Sequence, residues 1–168
     1  MMDDAFNHHV WATVRLIDAC NVLNSEQLDE NVQGTYGSIL QTFRHLVGAD
    51  SFYLSIMGVS DVPLVDENAA SLPELRRLME QMGTAWTVFL SRELEPDSVI
   101  EEHEDNGYER RAPVSIRLAQ ALDHGTDHRS QICTILTSLD IDVPIIDVWE
   151  YGIVVGRNFE NIPTGEPS

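Results

Sequence analysis

The chain has 168 residues, of which 43% are apolar, enough for one folded domain with a core and too many for a disordered chain. Its formal net charge is −18, from 28 acidic and 10 basic residues. Such a charge repels phosphate backbones and anionic lipids, so we expect neither a nucleic-acid partner nor a membrane partner. All ten basic residues are arginines, which excludes a lysine Schiff base and a phosphate-binding lysine of the Walker type.

Neither secretion nor membrane insertion is indicated. No run approaches the roughly 18 apolar residues that a membrane span needs. The acidic and polar start, Met-Met-Asp-Asp-Ala-Phe-Asn-His-His, is unlike a signal peptide, so we expect a cytoplasmic protein. We interpret the two cysteines, Cys20 and Cys133, as buried thiols, because only Arg129 nearby could lower a thiol pKa.

Apolar side chains recur at helical spacing in four stretches, which predicts four long helices. The stretches cover about residues 4–23, 38–57, 71–94 and 114–139. Between the first two, residues 24–37 are polar and contain glycines, which is typical of a loop. The chain is therefore expected to be mainly helical.

A β-hairpin is expected before the fourth helix. Two short runs, residues 98–104 and 108–112, flank the turn sequence Asp105-Asn106-Gly107, and Asn-Gly between such runs favours a tight hairpin turn. His103 then lies near the tip, in solvent. After the fourth helix, residues 147–155 are apolar enough to pack as a short helix or an extended cover, and we expect the tail to fray after about residue 157.

Three histidines form a candidate metal site. His124 and His128 are four residues apart on the fourth predicted helix, so both rings lie on one face about 5–6 Å apart. They stand at the rim of the buried face, and His45 has the same placement on the second helix. Three neutral imidazoles from two helices would leave an open coordination position, as in catalytic zinc sites. Spacing alone leaves open that these are core or surface histidines.

Other polar residues near this pattern are candidates for supporting roles. Gln131 follows the second ligand by one turn on the same face and could hold a water or a substrate group, and Arg129 is a second candidate orienting group. Asp127 points about 60° away and is interpreted as solvated surface, with an indirect contact to a ligand as the alternative. The adjacent His8 and His9 project about 100° apart and cannot both face the core, so we interpret them as surface or helix-start residues, with support of the site mouth by one of them as the alternative.

The order of these motifs resembles the DinB-like family, DNA-damage-inducible proteins that are regarded as metalloproteins. The resemblance covers about residues 4–152. It depends on a first helix with Phe6-Asn7-x3-Trp11, a second with His45-Leu46-x2-Ala49-Asp50, the hairpin, and then His124-Gly125-x2-His128-Arg129-x-Gln131.

The resemblance implies an all-α fold, a four-helix bundle with an unusual crossover connection and the small hairpin before the fourth helix, as one domain over residues 1–168. It implies a divalent metal, zinc or nickel, bound by His45, His124 and His128, and a homodimer. Relatives with known activity use a low-molecular-weight thiol, so the implied function is S-transfer to a small electrophile. A metal-dependent hydrolase and a non-catalytic metal- or ligand-binding bundle are the alternatives.

One position departs from the commonest form of the family. Asp127 stands where a histidine that is not a ligand often precedes the second ligand of the pair. The departure leaves the three expected ligands in place, but it weakens any inference about the substrate from the family.

Overall fold

Four long helices form a bundle, as predicted. The structure, a computed structural model, describes residues 2–103 and 107–159. Its long helices are α1 (Met2–Cys20), α3 (Ile39–Ile56), α4 (Leu72–Leu90) and α5 (Val114–Ser138), its short helices are α2 (Ser25–Leu28) and α6 (Val148–Val154), and its strands are β1 (Val99–His103) and β2 (Glu109–Pro113). The all-α fold with a hairpin before the fourth long helix is confirmed.

Side-chain caps set the start of several helices. Ser38 caps α3: the backbone N–H of Gln41 donates to Ser38 Oγ at 3.3 Å, and the Ser38 N–H donates back to Gln41 Oε1 at 3.0 Å. The expectation of a plain loop over residues 24–37 was wrong in part, because Asn24 and Gln27 form the same reciprocal cap and begin α2. A single helical turn has no apolar periodicity by which it could be recognised.

The long helices pack in a ring in which chain neighbours are not always spatial neighbours. Helices α1 and α3 each pack mainly against α4 and α5. The connections from α1 to α3 and from α4 to α5 therefore join helices that face each other diagonally, which confirms the crossover. The first connection contains α2 and the second contains the hairpin. This arrangement places α3 beside α5, so polar residues of these two helices can meet.

The interior has two apolar clusters with a polar layer between them. One cluster includes Leu16, Phe43 and Ile132, and the other includes Phe6, Leu54, Trp86 and Leu118. Along α1, α3 and α5, several buried polar residues lie in sequence between the members of the two clusters, among them His9, Thr13, Asp50, His128 and Arg129. Because buried polar groups need partners, this layer is where a site is expected.

The hairpin packs on the bundle through one buried face. Strands β1 and β2 are antiparallel, with Val99 opposite Pro113 and His103 opposite Glu109. The predicted turn falls largely on residues 104–106, which lie outside the described residues. His103 is 59% exposed, as expected.

The end of the described chain lies against α1. Arg157 forms an ion pair with Asp4 at 2.7 Å. The fraying predicted after about residue 157 falls mostly on residues 160–168, which lie outside the described residues. None of the described helices combines the length and the apolar character that crossing a bilayer requires.

Candidate metal centre

The three predicted ligands converge on one point between α3 and α5. The Nε2 atom of His124 lies 3.2 Å from Nε2 of His45 and 3.1 Å from Nε2 of His128. The ligand atoms of all three rings lie within 4.8 Å of one another. His128 is buried, and the other two rings are half-buried. The structure therefore brings together the residues that the sequence predicts as a metal site.

The geometry and the proton positions both suit a divalent cation. Three nitrogens bound at about 2.05 Å in a tetrahedral zinc site lie about 3.3 Å from one another, close to the separations seen here. His128 Nδ1 donates to Gln131 Oε1 at 3.1 Å, and His45 Nδ1 lies 3.4 Å from Glu67 Oε2. The hydrogen bond holds the proton of His128 on its outer nitrogen, and the nearby Glu67 carboxylate favours the same proton position on His45, so the inner Nε2 lone pairs of both rings face the common point.

Gln131 supports a ligand from behind. Its Oε1 accepts from His128 Nδ1 and also from the backbone N–H of Tyr36 at 2.9 Å, while its Nε2 donates to Asp127 Oδ2 at 3.0 Å. Asp127 is exposed and contacts the site through Gln131. This is the indirect contact that the sequence left open as an alternative to solvated surface. A direct contact of Gln131 with a reacting group stays a prediction.

Two tyrosine rings form walls of the cluster. The ring of Tyr36 stacks on His45 with centroids 4.2 Å apart and planes 10° apart. The ring of Tyr53 meets His124 edge to face at 5.8 Å. Sequence reasoning missed both, because Tyr36 lies in a loop without periodicity and Tyr53 fits the apolar stripe of α3 as a core residue.

Burial keeps two of the rings in the neutral form that binds metal. Burial, together with the neighbouring His128 and His45, lowers the pKa of His124 to about 4. Burial also lowers the pKa of His128, although the hydrogen bond to Gln131 opposes this shift. Both rings are thus neutral at neutral pH, which is the ligating state of imidazole.

Arg129 lies in a separate buried network rather than at the cluster. It is 4% exposed, and its Nη1 donates to His9 Nδ1 at 3.0 Å and to Thr13 Oγ1 at 3.2 Å. Because Nδ1 of His9 accepts, the ring proton lies on Nε2, which donates to Asp50 Oδ2 at 2.8 Å. The network joins α1, α3 and α5. An orienting role for Arg129 toward a substrate stays a prediction.

The expectation that His9 lies on the surface was wrong. Its side chain is 1% exposed, whereas His8 is half-buried and donates to the Ile146 carbonyl at 2.8 Å. The His9 ring rests directly against Gly125, where a Cβ atom would overlap it. Gly125 of the His-Gly motif therefore makes room for His9. The sequence could have indicated the burial of His9 only through Asp50 and Arg129, which lie in the two later motifs. Their contacts with His9 are long-range, so no local pattern shows them.

The two thiols are in environments that keep them protonated. Cys20 is buried, and its burial raises its pKa to about 12. Burial also raises the pKa of Cys133, which is half-buried, although Arg129 opposes this shift. Cys20 is thus buried as predicted, whereas Cys133 is only partly buried, and the raised pKa of each thiol disfavours the reactive thiolate.

A four-helix bundle with three convergent histidines on two helices defines a class of helical protein suited to metal binding. The sequence profile of the DinB family matches residues 1–153, and the chain belongs to this family. The crystal structure of a DinB-like protein from Bacillus cereus ATCC 10987 is similar in fold, with a TM-score of 0.65 and 20% identity over 83% of this chain and 91% of that one. Comparison with curated protein sequences gives no match.

Proposed function

We propose that this chain is an enzyme that binds one divalent cation, zinc or nickel, through His45, His124 and His128. The observation that carries the proposal is the convergence of three Nε2 atoms at 3.1 and 3.2 Å, with a hydrogen-bond acceptor on the outer nitrogen of His128 and a carboxylate near that of His45. A divalent cation with an open position lowers the pKa of a thiol or a water that binds there, so that a nucleophile is available at neutral pH.

The first candidate reaction is S-transfer from a low-molecular-weight thiol to a small electrophile. Both carboxylates described at the cluster, Glu67 and Asp127, act behind the rings, Glu67 on the outer nitrogen of His45 and Asp127 on Gln131. A thiol, with a pKa near 8.5, needs less activation than water and no carboxylate base. The rings of Tyr36 and Tyr53 offer flat apolar walls for a small organic molecule.

Hydrolysis is the second candidate, and Glu67 favours it. Its side chain is 46% exposed and lies 3.4 Å from His45, a distance typical of a weak contact. Such a carboxylate can turn from the ring to a water molecule and take up its proton, which is the role of a general base.

The metal is tested first, by elemental analysis of the untreated protein. We expect close to one zinc or nickel ion per chain. The double variant His124→Ala/His128→Ala should lose it, while His103→Ala, which changes an exposed histidine of the hairpin, should keep it. A metal-free native protein that is as stable as the double variant would reduce the cluster to core packing.

The reaction is tested with a panel of small thiols and a chromogenic electrophile. Turnover that disappears on chelation and returns with the metal supports S-transfer. Hydrolysis of an activated ester without any thiol, with the same dependence on metal, would favour the second candidate. Stoichiometric binding without turnover in both assays would contradict an enzymatic role and favour a non-catalytic metal-binding bundle.

We also propose that the chain is a cytoplasmic protein of one domain and forms a homodimer, as the family resemblance implies. The mass in solution, measured by light scattering after gel filtration, checks the dimer, and the mass of a single chain would contradict it.

A further inference from the structure

A cavity lies one helical turn from the metal centre. It has a volume of about 290 Å³ and is lined by Tyr53, Arg110, Ala112, Ile116, Arg117 and Gln120. Gln120 precedes His124 by four residues on α5, which is about one turn or 5.4 Å along the helix. The Tyr53 ring also packs against His124. The cavity and the metal centre therefore share a wall.

Two arginines line this cavity in a chain whose net charge is −18. Arg117 is buried and its charge is matched, because its Nη1 donates to Glu102 Oε2 at 2.9 Å and its Nη2 donates to the Ile100 carbonyl at 3.1 Å. Arg110 is 49% exposed and lies 3.8 Å from the same Glu102 oxygen. Two guanidinium groups thus share one carboxylate, and Arg110 supplies the excess positive charge.

Neutral hydrogen-bond donors complete the lining. Gln120 Nε2 donates to the Tyr53 hydroxyl at 3.5 Å, so the hydroxyl proton can be donated to a ligand. No carboxylate is among the described residues that line the cavity. A planar guanidinium beside a phenol hydroxyl suits a carboxylate, which accepts two parallel hydrogen bonds from arginine.

We propose that the molecule that binds at the metal centre carries a carboxylate, and that Arg110 and Tyr53 bind this carboxylate in the cavity. The inference deepens the proposed function and rests on it, since it assumes that the reacting end of the same molecule lies at the histidines. The substrate, whether it is the thiol or the electrophile, is then an anion. Arg110 and Tyr53 are then specificity-determining residues.

The test uses cobalt-loaded protein, because a thiol that binds cobalt gives a charge-transfer absorption in the near ultraviolet. The probes are two matched series, ω-mercaptocarboxylates with two to five methylene groups and ω-mercaptoalcohols of the same lengths. We expect one chain length at which the carboxylate binds about tenfold or more tighter than the alcohol, since hydrogen bonds to charged groups are the stronger ones. Equal dissociation constants at every length would overturn the proposal.

Variants locate the source of the preference. Arg110→Gln should bring the ratio of the two dissociation constants close to one, and Tyr53→Phe should lower it by a smaller factor. Arg111→Gln is the matched control, because Arg111 is the next residue on β2, is 71% exposed and pairs with Glu101 at 2.7 Å. It removes the same charge and should keep the preference. A preference that survives Arg110→Gln, or that is lost equally in Arg111→Gln, contradicts the assignment.

The same titration separates the two levels of inference. If cobalt gives no d–d absorption with the native chain, the proposed metal centre is wrong and the carboxylate site falls with it. If cobalt and the thiols both bind but the two series do not differ, the metal centre stands and only the carboxylate site is wrong. Each variant is first checked for native helical content by circular dichroism.

Discussion

His128 and Arg129 are consecutive residues of α5, yet they belong to two polar sites that differ in how their hydrogen bonds are completed. At the histidine cluster, ring nitrogens face one another at 3.1 and 3.2 Å, and the lone pairs of at least two of them point to the same place. In the network around Arg129, donors meet acceptors: the guanidinium donates to His9 and Thr13, and His9 donates to Asp50.

The comparison separates a site built for a ligand from a structural one. A buried carboxylate and a buried guanidinium, joined by a neutral imidazole, complete each other and hold three helices together. A set of nitrogen acceptors cannot satisfy one another by hydrogen bonds, so a cation bound between them stabilises the cluster. Burial and polarity are common to both sites, so the balance of donors and acceptors is the property that distinguishes them. The following predictions test this distinction.

The largest effect is expected from removing the carboxylate of the network. Asp50→Ala leaves the Arg129 guanidinium buried without its counter-charge. Burial lowers the pKa of Arg129 only to about 10, so the group stays charged at neutral pH. Removing one partner of a directly paired buried charge costs about 3–5 kcal/mol, and we expect a loss toward the lower end of this range because the His9 ring lies between Asp50 and Arg129. Urea denaturation, followed by circular dichroism, measures this loss in the free energy of unfolding.

The control for Asp50 is an exposed carboxylate with a side-chain contact of similar length. Asp18 contacts Arg76 at 2.7 Å, but both side chains are more than a third exposed. Asp18→Ala should cost about 1 kcal/mol or less. If the two aspartate variants lose equal stability, the network around Arg129 does not stabilise the fold more than a surface ion pair does.

The cluster should show the opposite behaviour, with stability that depends on metal. An ion that binds only the native state at 100 times its dissociation constant stabilises it by about 2.7 kcal/mol. Chelation should remove this increment from the native chain. His45→Ala, which removes a half-buried ligand, should behave with or without added metal like the chelated protein. If chelation does not change the free energy of unfolding of the native chain, the cluster is a structural site as well.

The close contact of His9 with Gly125 gives a further test of how tightly the network around Arg129 is packed. A Cβ atom at residue 125 would overlap the His9 ring, so Gly125→Ala should destabilise the chain by about 1–3 kcal/mol, as overpacking does. In a His9→Ala background, the same substitution has room and should be neutral or stabilising, because alanine favours helix. Unfolding of the four proteins in this double-mutant cycle gives the coupling energy. Additive effects would show that the two residues do not meet.

Short-range patterns were enough to predict most of the fold and the three histidines that converge in the structure. The helices follow apolar periodicity, the hairpin follows Asn-Gly, and the pair His124 and His128 follows one helical turn. His45 could be matched to them because it stands at the rim of its own helix. Each of these signals lies within a few residues of the chain, where helical geometry fixes the direction of a side chain.

The supporting residues could not be predicted because their contacts span most of the chain. His9 and Arg129 are 120 residues apart, and Tyr36 and Gln131 are 95 apart. Adjacent histidines near a helix start are typical of a surface, and only the diagonal connections of the bundle bring Asp50 and Arg129 to His9. Glu67 similarly reaches His45 from a loop whose path no periodicity describes.

The last effect concerns pH, and it again contrasts the cluster with the rest of the chain. In the native, metal-free chain the pKa of His124 is lowered to about 4 from the ordinary 6.5 that applies after unfolding. Between these values the unfolded chain binds more protons than the native chain, so the free energy of unfolding rises with pH. Acidification of chelated protein from pH 6.5 to pH 4 should therefore reduce stability, and His124→Ala should make this dependence shallower.

The control for this measurement is His103→Ala, because His103 is 59% exposed and should leave the pH dependence as it is in the native chain. With metal bound, protons compete with the ion for the same nitrogen atoms, so the dependence should become steeper in the native chain but not in His124→Ala. If His124→Ala keeps the full dependence with and without metal, the acid sensitivity comes from outside the cluster. The histidine cluster would then not differ from the network around Arg129 in its response to protons and metal, and the distinction between the two sites would be wrong.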